Sequence, residues 1–251
     1  RRHTEKLSVV CAMVVSLSAP TSRAAANPSA EELLKDADRA RGSVDEGMSW
    51  QSEVETIDGK INNKVLYAIK TKGASAVAET VQPESSKGEY LIFKDRNLWF
   101  LKPGMKRAVV VSARQKLTGP ASNADIVSTN YARDYDGSIL GEEKVDGVDC
   151  WKLELKAKDK NVTYSGIRYW ISKSSHLGVK AEFLTTKGEL FKTAQFLYDN
   201  KIKSGGKDRP FMSKVVIKDA QRGDSSSTIV VSKPAVVVIP EGSLDLKNFT
   251  K

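Results

Sequence analysis

Hydrophobic positions along this chain change from a helical period to a period of two near residue 48, and that change divides it. From Ser29 onward, Leu33, Ala37, Ala40 and Val44 recur at helical spacing and form a narrow, small-sided stripe. Ser29 with Glu32 three residues on offers a capping box, and Gly42 marks the expected end of this helix. Beyond it the period is two. Met48, Trp50, Ser52 and Val54 alternate with Ser49, Gln51, Glu53 and Glu55, Asp58-Gly59 supplies a hairpin turn, and Val65, Tyr67 and Ile69 continue the pattern on the return strand. Further strands are expected over 74–81, 89–94, 97–101 and 107–112, with breaks at Pro83, Asp95-Arg96 and Pro103-Gly104.

The rhythm stops between Ala113 and Tyr131. Arg114, Gln115 and Lys116 are good helix formers, Gly119-Pro120 is a stop, and Ser122 with Asp125 starts a second helical piece carrying Ile126 and Val127. This predicts a helical insertion between two runs of strands. Strands resume over 137–142, 148–156, 164–172, 179–185 and 190–198, with turns at Asp146-Gly147 and Lys187-Gly188. Residues 200–209 read as a polar, Gly-rich connection. Strands over 211–219, 227–232 and 235–239 finish the set, the last bracketed by Pro234 and Pro240 as suits a sheet edge. The fold class is therefore mainly β: an antiparallel sheet of about ten or eleven strands, a size that curls or closes, with the helices as the available cover. No repeat or linker interrupts it, so residues 27–251 are read as one domain.

Residues 1–26 read as a cleavable signal peptide. Arg1, Arg2 and Lys6 form a basic start, the apolar run from Leu7 to Ala19 is too short to span a membrane, and Ala24-Ala25-Ala26 offers small residues before a cut at Asn27. His3-Thr4-Glu5 lacks the hydrophobic residues of a twin-arginine signal, and Val9-Val10 before Cys11 argues against a lipid-anchored start. The expected product is exported and released.

The 251-residue chain has a formal net charge of +9, and the first 26 residues account for +3 of it. The remaining charge is spread, with Lys and Glu interleaved. Nucleic acid is therefore not an expected partner, while anionic lipid or an acidic partner are equally compatible. Cys150 alone survives cleavage, so no disulfide can form, and its alternating surroundings predict a buried, inert thiol. His176 also survives alone, in a turn-like stretch with Ser174 and Ser175, too few ligands for zinc. No nucleophile elbow, metalloprotease, phosphate-loop or dinucleotide motif occurs. Glu142 and Glu143 are adjacent on a strand and point to opposite faces, so they cannot share a substrate. The chain is read as non-enzymatic, without cofactor or metal. Its most natural ligand is an acyl chain, held in an apolar groove under a helical lid. Trp50, Val54, Tyr67, Ile69, Leu98 and Phe100 are the candidate residues of that groove, with the reservation that a one-residue slip would turn any strand over.

Several segments carry a family resemblance. Lys87-Gly88-Glu89-Tyr90-Leu91, then Arg96-Asn97-Leu98-Trp99-Phe100-Leu101-Lys102-Pro103 and Lys106-Arg107, are followed by Gln115-Lys116-Leu117-Thr118-Gly119 and Asn123-Ala124-Asp125-Ile126. Then come Asp134-Tyr135, the run Gly147-Val148-Asp149-Cys150-Trp151-Lys152-Leu153-Glu154-Leu155, Tyr164, Arg168-Tyr169-Trp170-Ile171 and Gly188-Glu189-Leu190-Phe191-Lys192-Thr193. In this order and spacing they resemble the periplasmic lipoprotein-carrier superfamily, in its outer-membrane lipoprotein-sorting branch. The ending Leu244-Asp245-Leu246-Lys247-Asn248-Phe249-Thr250 matches only roughly. The resemblance implies an incomplete antiparallel β-barrel plugged by helices and hydrophobic cargo inside: lipoprotein acyl chains or lipids, carried through the periplasm of a Gram-negative bacterium. Its implied partners are a membrane exporter or an outer-membrane acceptor. It also implies a single arginine that holds the lid, without choosing among Arg39, Arg41 and Arg96. A relative of the fold acts as an envelope sensor. A protein-contact module carrying no lipid is therefore the alternative reading.

Overall fold

The computed structural model describes residues 27–115, 119–127 and 130–250. The expected signal peptide over 1–26 lies outside them, as do residues 116–118 and 128–129 of the expected insertion.

Helix α1 (Ala30–Arg39) opens the described chain. The Glu32 N–H donates to Ser29 Oγ at 3.2 Å and the Ser29 N–H donates to Glu32 Oε2 at 2.8 Å, closing the capping box. It ends three residues before Gly42 and buries Leu33, Leu34, Ala37 and Asp38. The chain then runs through β1 (Met48–Asp58), β2 (Ile61–Lys72), β3 (Ser75–Gln82), β4 (Tyr90–Lys94), β5 (Asn97–Leu101) and β6 (Val109–Val111). Two short helices follow, α2 (Asn123–Val127) and α3 (Tyr131–Asp134). Strands resume as β7 (Tyr135–Val145), β8 (Val148–Ala157), β9 (Gly166–Ser172), β10 (Gly178–Leu184) and β11 (Leu190–Leu197). The last four are β12 (Asn200–Ser204), β13 (Lys207–Phe211), β14 (Lys214–Asp219) and β15 (Ser225–Val236).

Thirteen strands form one antiparallel sheet in the order β6-β5-β4-β3-β2-β1-β15-β14-β11-β10-β9-β8-β7. The chain walks from β1 to one edge, crosses through α2 and α3 to the opposite edge, and walks back. β15 therefore pairs with β1 at the centre, joining the two halves. The sheet curls but does not close into a barrel, and β6 and β7 remain its edges.

Period two decides which side chains go inside. On β1 the residues Met48, Trp50, Ser52, Val54 and Thr56 are buried while their neighbours are partly exposed. Tyr67 and Ile69 on β2, Ala76 and Ala78 on β3, Leu91 and Phe93 on β4, and Leu98 on β5 continue the same concave face into one core with α1 and α2. Each of the larger aliphatic and aromatic side chains contributes roughly 1.5–3 kcal/mol by leaving water. The convex face of β3–β5 has its own smaller core. Val77 and Ile92 pack there against Ile239 and Leu244 of the C-terminal segment, with Trp99 and Phe249 alongside.

Three local expectations change. Residues 200–209 form most of a separate hairpin, β12–β13, turned by Gly205 and Gly206, both in the left-handed region. Its polar sequence reflects its place outside the main sheet. Residues 113–115 form a turn, not helix. Ala235 is not the start of an edge strand: β15 continues through Pro234 to Val236 at the sheet centre. A bulge opposite Ser49 to Gln51, with Lys233 at φ 53°, accommodates the proline that cannot donate to the ladder.

Candidate functional site

The site is the concave face and the helices over it. All six expected groove residues lie in this one cluster. Trp50, Val54, Tyr67, Ile69 and Leu98 are buried, and Phe100 is half-buried against them. Trp50 meets Phe211 edge-on at 5.7 Å, and its Nε1–H donates to Ser52 Oγ at 3.1 Å. Of the six, Trp50 alone borders a described cavity. That cavity, between Arg41, Thr71, Phe93, Ile126 and Ile229, has a volume of about 30 Å³. It is room for a water or two. The helices are closed on the sheet.

Beside their apolar packing, they are tied down by a small set of buried polar contacts that strand patterning did not mark. Arg41, just past α1, is 4% exposed. Its guanidinium lies 4.5 Å from the Tyr131 ring and 4.8 Å from the Phe196 ring, and Nη1 donates to Tyr169 Oη at 3.4 Å. Of the three arginines open from the sequence, Arg41 is thus the fully buried one, between α3 and strands β9 and β11, while Arg39 faces Asp36 at the surface. Arg96 instead reaches from the β4–β5 turn to Asp134 of α3, 2.9 Å away. Tyr169 sits where it does because Gly178 leaves the space: a Cβ there would fall 1.8 Å from the tyrosine oxygen.

Asp38 on α1 accepts the Ala132 N–H at 2.8 Å, joining α1 to α3. Burial pushes its carboxyl up to about 7, against the attraction of Arg41 and the backbone N–H groups of Ala132 and Tyr131. On α2, Asp125 faces Lys192 of β11, with Nζ–Oδ2 at 2.7 Å. The Tyr164 hydroxyl donates to Asp125 Oδ1 at 2.7 Å and also meets Lys192 and Ser122 Oγ. Burial alone would raise the Asp125 carboxyl, but Lys192, the Ser122 N–H and Tyr164 hold it below its usual range. Lys192 has one local signal, which gives its burial but not its partner. It shares the buried phase of β11 with Ala194 and Phe196.

His176, expected as a plain turn residue, sits at φ 56° with Nδ1 2.8 Å from Asp36 Oδ2, tying the β9–β10 turn to α1. Beside it an open polar groove of about 1130 Å³ runs between α1, that turn and the β12–β13 hairpin. Cys150 is buried, and burial pushes its thiol up. Glu142 pairs with Lys173 and Glu143 with Lys152, on separate faces. Among the described residues no cluster of three or more His, Cys, Asp or Glu could hold a metal, and no helix is long and apolar enough to cross a membrane.

A family model described as an uncharacterized protein matches residues 72–250. No curated protein matches the sequence. Among solved structures, a LolA superfamily protein from Nitrosomonas europaea is similar over 89% of this chain and 98% of its own, at 28% identity and a TM-score of 0.76. A putative outer membrane lipoprotein-sorting protein domain from Vibrio parahaemolyticus is similar over 88% and 100%, at 20% identity and a TM-score of 0.73. A DUF1329 family protein from Desulfovibrio piger is similar over 88% and 98%, at 20% identity and a TM-score of 0.71. The last two share the fold. With the family match over more than half its length, the chain belongs to the family that this model describes, and its fold is like that of the LolA superfamily protein.

Proposed function

We propose that the protein is a periplasmic carrier that shields the acyl chains of a lipid or lipoprotein between the concave sheet face and its helical lid. One observation carries this reading. A continuous apolar face spans the sheet, and the helices over it are fixed by discrete polar contacts at Arg41, Asp38 and Asp125. These contacts add to the apolar packing of the helices in the same core, so a cargo that enters must replace both. A C16 chain leaving water is worth on the order of 10 kcal/mol, at about 0.8 kcal/mol per methylene. Recovering part of that offsets the opening of α2 and α3. Trp50, Val54, Tyr67, Ile69, Leu98 and Phe100 are the surface the chain would meet. The mature protein would begin near Asn27, work in the periplasm of a Gram-negative cell, and pass cargo between a membrane exporter and an outer-membrane acceptor without catalysis.

The test is ligand-linked stability with a titrated fluorescent fatty acid. Binding should raise the melting temperature with ligand concentration, and Leu98→Asp or Phe100→Asp should weaken it. N-terminal sequencing of periplasmic protein that found Arg1 retained would contradict the export part of the reading.

A second reading rests on the small volume left beside Trp50 between the helices and the sheet, about 30 Å³. A fold packed this tightly also suits an envelope sensor or protein-contact module with no lipid. Absence of any melting shift across fatty acids, phospholipids and acylated peptides would favour it.

A further inference from the structure

The stretch between Asp95 and Asp125 holds six basic residues, Arg96, Lys102, Lys106, Arg107, Arg114 and Lys116, and no acidic one. It departs from the interleaving of charge elsewhere, and it brackets the free edge of the sheet. Two of its cations are used internally. Arg96 pairs with Asp134, and Arg114 donates to the carbonyls of Lys160 and Val162. Lys102, Lys106 and Arg107 are exposed and form no ion pair with any described residue. Next to them, β6 pairs with β5 on one side through Val109, Val110 and Val111, and no described strand pairs with the other side. Val109 is 46% and Val110 73% exposed. The first turn of α2 folds back on residues 112–115, where the Asn123 and Ala124 N–H groups donate to the Gln115 and Ala113 carbonyls, so the open part of the edge is β6 itself.

We propose that β6 is a docking edge at which an extended, acidic segment of a partner protein adds to the sheet as a further strand. The open ladder groups of β6 supply main-chain hydrogen bonds, its valines a β-branched surface, and Lys102, Lys106 and Arg107 the charge that selects an acidic partner. An anionic membrane surface fits the charge but offers no strand to the open ladder groups of β6. A second copy could offer its own β6, which would bring two sets of Lys102, Lys106 and Arg107 together, or its β7 edge, where Glu142 and Glu143 are already paired with Lys173 and Lys152. The inference concerns a partner and not cargo, so it stands or fails separately from the carrier reading.

The probe is a fluorescein-labelled octapeptide alternating glutamate with valine and threonine, followed by anisotropy on the full mature chain. It should bind, and exchange of the Val109 to Val111 amides should slow. The paired change Lys106→Glu with Arg107→Glu, on exposed side chains, should weaken binding about tenfold or more. An N-methylated copy of the peptide, which keeps the charge but cannot complete a ladder, should fail to bind. The proposal is overturned if the N-methylated peptide binds as well as its parent or if the parent does not bind. It is equally overturned if phosphatidylglycerol vesicles are bound through Lys106 and Arg107 while the peptide is not, or if sedimentation shows β6-dependent self-association.

Discussion

Lys192 on β11 and Asp125 on α2 form a buried ion pair, 2.7 Å between Nζ and Oδ2, that joins the wall of the sheet to the helix above it. Both side chains are largely out of solvent, at 2% and 11% exposed. Removing one member of such a pair strands the other charge, which typically costs about 3–5 kcal/mol. Lys192→Met should therefore lower the urea midpoint sharply. The double change Lys192→Met with Asp125→Leu should recover part of the loss, because an apolar pair leaves no buried charge. A double variant no more stable than the single one would show that the pair is not a closed unit.

The same pair sets an acid limit. Asp125 is held below its ordinary 3.8, so the folded state binds its proton less readily than the unfolded chain. The stability it contributes is present above the unfolded value and is lost as pH falls through the folded one. Asp125→Asn should flatten the stability profile below about pH 4, which urea unfolding across that range would read.

Asp38 has the opposite sign. Its folded carboxyl stands at about 7 against an ordinary 3.8, so the folded state holds a proton that the unfolded chain has released. Its contribution is fully present below pH 3.8 and declines as pH rises toward 7. Asp38→Asn keeps an acceptor for the Ala132 N–H and should remove that decline. A variant with the parent slope between pH 4 and 7 would contradict the assignment.

Gly178→Ala tests the seat of Arg41. The added methyl would collide with Tyr169, which must move and take its hydroxyl away from the guanidinium. Overpacking of this kind costs about 1–3 kcal/mol, and melting curves should show it.

How much of this was written legibly in the chain follows from the range over which each signal acts. The alternation through Trp50, Val54, Tyr67 and Ile69 is local, so the strands and their inner faces could be read from neighbours alone. The capping box at Ser29 and Glu32 is local too. Lys192 is different. Its partner Asp125 stands 67 positions away, and a lysine in a buried strand phase has no reading until that partner is placed. Arg41 lies past the end of α1, where no period applies. The β12–β13 hairpin resembled a loop because burial inside the main sheet, not pairing itself, is what makes strands apolar. Pro234 looked like a break because the bulge that accommodates it depends on β1.

The carrier account is tested most directly by native mass spectrometry of the protein released gently from its own periplasm and never exposed to detergent. The account predicts a fraction of molecules carrying a noncovalent lipid or acylated species, with that fraction reduced by Phe100→Asp at unchanged folded content. Protein that is uniformly unliganded, and stays so after incubation with phospholipid and acylated peptide, would contradict it.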